Sequence, residues 1–278
     1  MIDPNKIRLF MHRPFTKKWL FYDRSVMEMP SRYYDIAGNT GKIVYLQGQG
    51  MNKPFSSLIT ELVPSFQFVG NGKGFPMYKG MDDGGKISNL SKRFENKIKL
   101  SSDDLVFYIY AVLHDRTYLD RYSSDLKKAF PRIPILKNKE KYVEIGRKLT
   151  DLHLNYENQP SWEGVDVQIS HSEPSYKVTK MKHSKKDKLD NIIYNESIKI
   201  VNIPEKAYEY VVNGRPAIEW IIDQYQIKTD KKSGITDDPN NFSEDPKYIL
   251  NLLLSIITVS METLELIDEL PEFEVIEP

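Results

Sequence analysis

Four acid-x-Lys triplets supply the most enzyme-like chemistry in this sequence: Glu95 with Lys97, Asp125 with Lys127, Asp230 with Lys232, and Asp245 with Lys247. A carboxylate that holds a divalent cation, with a lysine two positions on, is the pattern of metal-dependent nucleases. With 39 acids and 29 lysines in 278 residues, chance alone supplies about four such triplets, so the spacing carries no information. His114 precedes Asp115, and His153 follows Asp151 by two, which suits a base and its orienting carboxylate. It suits equally a helix-end or core histidine satisfied by its neighbours. The adjacent acids Asp82-Asp83 and Asp237-Asp238 read as turn residues. Gly70-Asn71-Gly72-Lys73-Gly74 looks like a phosphate cradle, but Phe75-Pro76 follow where a helix N-terminus would be needed. A mobile loop that offers Lys73 to a phosphate is the better expectation. Walker, His-Glu-x-x-His, Gly-x-Ser-x-Gly and Asn-Pro-Pro-Tyr motifs do not occur. No catalytic residue and no metal ligand is assigned.

The densest positive feature lies in residues 177–188, where Lys177, Lys180, Lys182, Lys185, Lys186 and Lys188 are opposed only by Asp187. Lysines in such an array neutralise phosphates and release counterions, giving salt-dependent affinity for a nucleic-acid backbone. The alternative is a solvated loop that serves solubility. Nearer the N-terminus, Arg8, His12, Arg13, Lys17 and Lys18 surround Trp19, Phe21 and Tyr22. At alternate strand positions the aromatics read as core, so Trp19 is expected to be structural, leaving Arg13 and Lys17 as phosphate contacts. Base edges are read by side chains with paired donors and acceptors, and loops offer Gln47, Gln49, Asn52, Asn71, Asn240 and Asn241 as a pool.

The elements that must position these residues follow from period and punctuation. Short β-type runs at 7–11, 19–22, 43–46, 57–62 and 66–69 are separated by Gly, Pro and Asn. Ser101 and Ser102 ahead of Asp103 and Asp104 supply N-cap chemistry, and Leu105, Val106, Ile109, Val112 and Leu113 follow at helical spacing. Further helices are expected at 118–129 and 139–154, kept apart by Pro131 and Pro134. Strands at 176–181 and 192–200 would flank a lysine-rich loop at 182–190. Pro204, Pro216 and Pro246 open helices at 205–212, 216–225 and 246–270, and residues 226–245 form a long polar loop. The expected fold class is α+β: a sheet-rich N-terminal part and a helical C-terminal part, as one large domain over 1–278 or two closely packed lobes, 1–160 and 161–278.

Composition sets limits on this picture. A chain with 40% hydrophobic and 12% aromatic residues buries a sizeable core. Having no cysteine, it excludes disulfides, thiolate zinc sites and cysteine nucleophiles, and fits a reducing, cytoplasmic compartment. The charged N-terminus lacks a signal-peptide core, and the longest apolar stretch, 249–259, is broken by Asn251 and Ser255, so no membrane span is expected. Formal neutrality conceals asymmetry: residues 1–188 carry 32 Lys+Arg against 21 Asp+Glu, and the last 90 carry 7 against 18. A basic face for nucleic acid and an acidic face for solvent or a protein neighbour would follow, unless folding mixes the two.

Several stretches together resemble one family. They are HRPF (12–15), FYD (21–23), FPMY (75–78), FYIYAVLH (107–114), FPRIP (130–134), GRKLTDLHLNYE (146–157) and VVNGRPAIEWIIDQYQIKTDKKSGITDDPNNF (211–242). In this order, from about residue 7 to 270, they resemble the C-terminal specificity domain of Type ISP restriction-modification enzymes. The resemblance implies a bacterial polypeptide in which a nuclease, a helicase-like ATP-driven translocase and an adenine-N6 methyltransferase precede this region. S-adenosylmethionine, ATP and Mg2+ would serve those domains, and none is expected in this chain. The implied partners are double-stranded DNA and the methyltransferase domain of the same polypeptide. No catalytic residue transfers, and no target bases transfer. Residues 46–53 (LQGQGMNK) depart from the family where relatives often carry an arginine, which leaves that loop without an assigned role.

The expectation is therefore a DNA target-recognition domain without catalysis of its own. A metal-dependent nuclease built on an acid-x-Lys set is the rival from another class. A third reading is a structural coupler docking on the methyltransferase through the acidic end, 262–277, where seven acids meet no base.

Overall fold

The computed structural model describes residues 3–27, 41–82, 85–185 and 188–277. The chain is a mixed α+β protein that divides into two compact units: Met1–Leu154 with Val212–Gly214 and Glu265–Pro278, and Asn155–Val211 with Arg215–Leu264.

In the first unit, β1 (Ile7–Arg13) and β2 (Thr16–Phe21) form an antiparallel hairpin. β3 (Ile43–Leu46) pairs with β4 (Ser57–Thr60), and β5 (Val63–Pro64) joins β1 in parallel. β6 (Lys73–Pro76) pairs with the other edge of β3, and β7 (Tyr78–Asp82) with β8 (Gly85–Ser88). Residues 66–69 are a turn and not the expected strand. Ser65 binds the end of β1 through Met11 and His12, Phe68 N donates back to Ser65 O, and Gly72 N closes on Phe66 O. The backbone groups needed for a ladder are spent inside the turn.

α1 (Lys92–Ile98) and α2 (Ser102–Val112) are each capped by the serine before them. The helix expected at 118–129 is two, α3 (Arg116–Arg121) and α4 (Ser123–Leu126), broken where Tyr122 leaves helical torsions and packs its ring on Tyr118. After β9 (Ile135–Leu136), α5 (Lys139–Leu154) crosses α2 at Gly146, where a Cβ would meet the Phe107 carbonyl oxygen at 1.9 Å. That approach lets Tyr108, Tyr110, Tyr142, Ile145 and Leu149 close into a core without solvent access.

The second unit holds a four-stranded sheet built from β10 (Asp166–Ile169), β11 (Lys182–Lys185), β12 (Lys188–Ile193) and β13 (Ile198–Val201), in the order β10-β13-β12-β11. Residues 176–181, expected as a strand, run without regular structure because their backbone groups bond elsewhere. Asn240 binds both the N–H and the carbonyl of Val178, Asn195 takes the Lys177 carbonyl, and Ile227 N takes that of Thr179. The second expected strand, 192–200, is the end of β12, a turn and β13. A short 3-10 turn, Glu205–Glu209, replaces the helix expected to 212, and β14 (Val211–Val212) follows because Tyr210 is already extended. β15 (Arg215–Pro216) leads into α6 (Ala217–Gln224). The interval after it is not bare loop: β16 (Lys228–Thr229) and β17 (Thr236–Asp237) pair as a hairpin.

α7 (Tyr248–Asp268) is long and apolar enough to cross a membrane by composition, but 72% of its apolar window is buried within the protein. It is a core helix. Beyond it the chain returns to the first unit, where β18 (Val275–Glu277) pairs with β9.

Candidate nucleic-acid interface

The lysine-rich stretch is the hairpin itself and not a loop between strands. Lys182 and Lys185 lie on β11, an edge strand, and Lys188 begins β12; all three are exposed, as are Lys177 and Lys180 on the approach. Lys186, with its neighbour Asp187, lies outside the described residues. Ile192 and Ile200, paired across β12 and β13, are fully buried and anchor one face of this sheet. The register sets Lys185 directly opposite Lys188. Like charges in that position repel, at a cost of about 0.2–1 kcal/mol. Among the described residues none of these five lysines is in an ion pair. His183, between them, turns inward instead: its Nε2 lies 2.6 Å from Glu219 Oε1, and its ring packs 5.7 Å from that of Tyr208. Lysines on an edge strand also block edge-to-edge pairing, but that role does not call for two of them face to face.

In the first unit, residues 47–53 and the Gly70–Gly72 turn pack together. Gly48 N donates to Gly70 O, Gly50 N to Lys127 O, and a Cβ at Gly72 would stand 2.2 Å from the Leu46 carbonyl oxygen. The glycines therefore answer a close backbone approach and do not form a phosphate cradle. Lys73 is not on a mobile loop: it opens β6 opposite Leu46, exposed, with its Nζ 5.9 Å from the Phe75 ring centroid and 5.4 Å from that of Phe130. These two rings meet edge to face at 5.2 Å and are 36% and 38% exposed.

The six amides separate by exposure and by partner. Gln49, Asn52, Asn71 and Asn241 are exposed, with Asn71 bound to Gln67 through its side-chain oxygen. Gln47 is 5% exposed and donates to the Lys53 carbonyl, so it does not reach a base edge in this conformation. Asn240 commits its amide to Val178 and Asp238 and is scaffold. Arg13 and Lys17 are half-buried; Arg13 Nη1 donates to the His12 carbonyl, and Lys17 stands opposite Met11. The tip between them is core, with Phe15 2% exposed at φ 55°. Trp19 reverses its expectation: it is 61% exposed and no part of the core.

Pattern reading missed the Phe75 and Phe130 pair. Its signal is a repeated Phe-Pro dipeptide, since a residue before proline is held extended and its side chain is denied a helical face.

Three of the four acid-x-Lys carboxylates hold local structure. Asp230 accepts from Lys232 N and Ser233 N, Asp245 from Lys247 N, and Glu95 from Ser102 Oγ. Among the described residues no group of three or more His, Asp or Glu could hold a metal ion. His114 and His153 are buried beside Tyr110: Tyr110 Oη is 2.5 Å from His153 Nδ1, and His114 Nδ1 is 2.8 Å from the Tyr110 carbonyl. Burial holds the His114 imidazole down to about 4 against the opposing pull of that carbonyl, and holds His153 well below its ordinary value. Asp115, also buried, accepts from Tyr142 Oη at 2.5 Å and caps α3. These are core groups.

Folding mixes the two halves of the charge. The first unit carries 26 Lys+Arg against 22 Asp+Glu and the second 13 against 17, because the acidic end returns to the basic unit. There Glu274 pairs with Lys137 at 3.0 Å, Glu269 lies 3.8 Å from Lys148, and Asp268 binds Arg116 at 2.5 Å.

The family described as the Type ISP C-terminal specificity domain matches residues 1–252. Among solved structures, a nuclease-deletion mutant of the Type ISP restriction-modification enzyme LlaGI in complex with a DNA substrate mimic is 55% identical. It covers 97% of this chain at a TM-score of 0.87. The ATP-dependent Type ISP restriction-modification enzyme LlaBIII bound to DNA is 52% identical over 97%, at 0.90. A DrdV-DNA complex, 23% identical over 99% at 0.85, shares the fold. This chain spans 21%, 18% and 29% of those chains. No curated protein matches.

Proposed function

We propose, for a chain that belongs to the family of Type ISP C-terminal specificity domains, that it is a DNA target-recognition domain of a restriction-modification enzyme. It carries no catalysis of its own. One observation carries the DNA contact: exposed lysines on the β11–β12 hairpin at the sheet edge, two of them opposite each other in the register, with no ion-pair partner among the described residues. A phosphate between Lys185 and Lys188 turns their repulsion into attraction, and each lysine so neutralised releases counterion. Two of the structural likenesses described above, both over 50% identical, were solved with DNA or its mimic.

Within the first unit, Lys73 is the phosphate contact, and the exposed amides Gln49, Asn52 and Asn71 are the candidates for reading base edges. Asn241 is the exposed amide of the second unit. Phosphate contacts fix register and carry no sequence information, so the lysines position and the amides specify. Nuclease, translocase and methyltransferase chemistry, with Mg2+, ATP and S-adenosylmethionine, belongs to other parts of such an enzyme; Glu95, Asp230 and Asp245, three of the four acids in metal-nuclease spacing, are engaged in turns and helix contacts. The partner on the protein side is the methyltransferase domain of the same polypeptide, and the compartment is the bacterial cytoplasm.

Fluorescence anisotropy with a labelled duplex at about 50 and 200 mM salt tests the reading, because phosphate contacts make affinity fall steeply over that range. Replacing Lys182, Lys185 and Lys188 with glutamine is expected to weaken binding and flatten the salt dependence. No duplex binding at low salt, or binding indifferent to these substitutions, removes the assignment.

A further inference from the structure

Phe75 and Phe130 stand at the mouth of a cavity of about 350 Å³, within the range of roughly 300–1,000 Å³ typical of small-molecule pockets. The walls are mostly apolar, with buried Val44, Leu105 and Leu113 contributing, and Lys42, Asn89 and Ser91 add polar groups to the lining. We propose that this cavity accepts an unstacked nucleobase, held against the Phe75 and Phe130 rings, with Lys73 on the flanking phosphate. The proposal rests on the DNA-recognition reading above and names a further ligand for the first unit.

Three features select this occupant. Exposed aromatic faces bind any base by stacking, and a lysine above both rings places a positive charge where the backbone leaves the stack. An amide lies in the lining itself: Asn89 is half-buried there and donates its Nδ2 to the Pro76 carbonyl. An apolar protein side chain would fill the walls equally well but would use neither the lysines nor this amide. A base inside an intact duplex offers only its edges in the grooves, so the ligand is a base displaced from its stack, as at a bulge, a mismatch or a kinked step.

The test titrates the whole chain against two duplexes of one sequence, one fully paired and one with a single unpaired 2-aminopurine. The bulged duplex is expected to bind about tenfold more tightly, with quenching of the probe by stacking. Phe130→Leu keeps apolar packing but removes the aromatic face. It is expected to abolish both the preference and the quench, so that the bulged duplex binds no more tightly than the paired one. Lys73→Gln is expected to lower bulge affinity and retain the quench. Equal affinity for both duplexes with no quench overturns the proposal while leaving DNA recognition standing; failure to bind either duplex at low salt overturns both. A preference that survives both Phe130→Leu and Phe75→Leu also overturns it, and leaves the cavity to an apolar side chain of a protein partner.

Discussion

Two stretches of like charge lie in this chain, and they meet opposite ends. The lysine hairpin of the second unit stands on a buried apolar face yet leaves its charges exposed, with Lys185 opposed by Lys188. The acidic end of the first unit finds its counter-charges inside the molecule: Lys137, Lys148 and Arg116 meet Glu274, Glu269 and Asp268. That segment also contributes β18 to β9 and seats Phe273, 7% exposed, against Tyr118 and under Arg121. The acidic end therefore acts as part of a core, and the hairpin as an exposed basic surface. Surface ion pairs contribute little by themselves; what fixes the acidic end is the apolar residue and the strand that travel with it. A coupler that detaches this end to bind a neighbour would have to give up that packing and that strand pairing.

The largest test of this contrast is steric. Gly146→Val places atoms against the Phe107 carbonyl at the α2–α5 crossing and is expected to remove cooperative folding of the first unit, whereas changes on the hairpin leave folding intact. Phe273→Ala is expected to cost about 3–5 kcal/mol in urea denaturation. A cost below about 0.5 kcal/mol, the level of an ordinary surface change, would show that the acidic end is a solvated tail.

Acid is expected to act on the first unit and salt on the hairpin. The folded state holds His114 at about 4, below its ordinary 6.5, so the unfolded chain takes up the proton first. Stability is full above about pH 6.5 and declines as the pH falls towards about 4, by about 3 kcal/mol for this histidine alone. His153, buried beside it and also lowered, acts in the same direction. Denaturation midpoints that stay flat across this window would mean that the two rings are not buried in neutral form.

For the hairpin, Lys182, Lys185 and Lys188 changed together to glutamine are expected to lower duplex affinity about 10- to 100-fold at low salt. The salt slope should fall by about 0.9 for each phosphate that is no longer neutralised. The smallest effect sharpens the contrast most: Lys188→Gln alone is expected to leave stability unchanged or raise it by a few tenths of a kcal/mol, because a facing like charge is removed. A loss above about 1 kcal/mol would show that Lys188 has an internal role, since neutral surface substitutions stay within about 0.5 kcal/mol.

Local signals in the sequence account for much of the fold. Ser101 caps α2 as its type predicts, Pro246 precedes α7, and β1, β3 and β4 lie where their β-type runs place them. The failures fall where distant groups compete for the backbone. Asn240 takes Val178 out of a strand from 62 positions away, and Ser65 ties the turn at 66–69 to β1 across 53. The site divides in the same way. Lysine density and the family were legible in the order of residues, but the burial of Gln47, the exposure of Trp19 and the meeting of Phe75 with Phe130 were not. Each depends on neighbours that only folding supplies.

The sequence by itself determined the sign and spacing of the charges, the helices with strong caps, and the family. Tertiary structure alone decided which charges are spent. Neutralisation needs a partner within a few ångströms, and Lys137 finds Glu274 across 137 positions of chain, whereas Lys185, among the described residues, stands opposite Lys188 and in no ion pair.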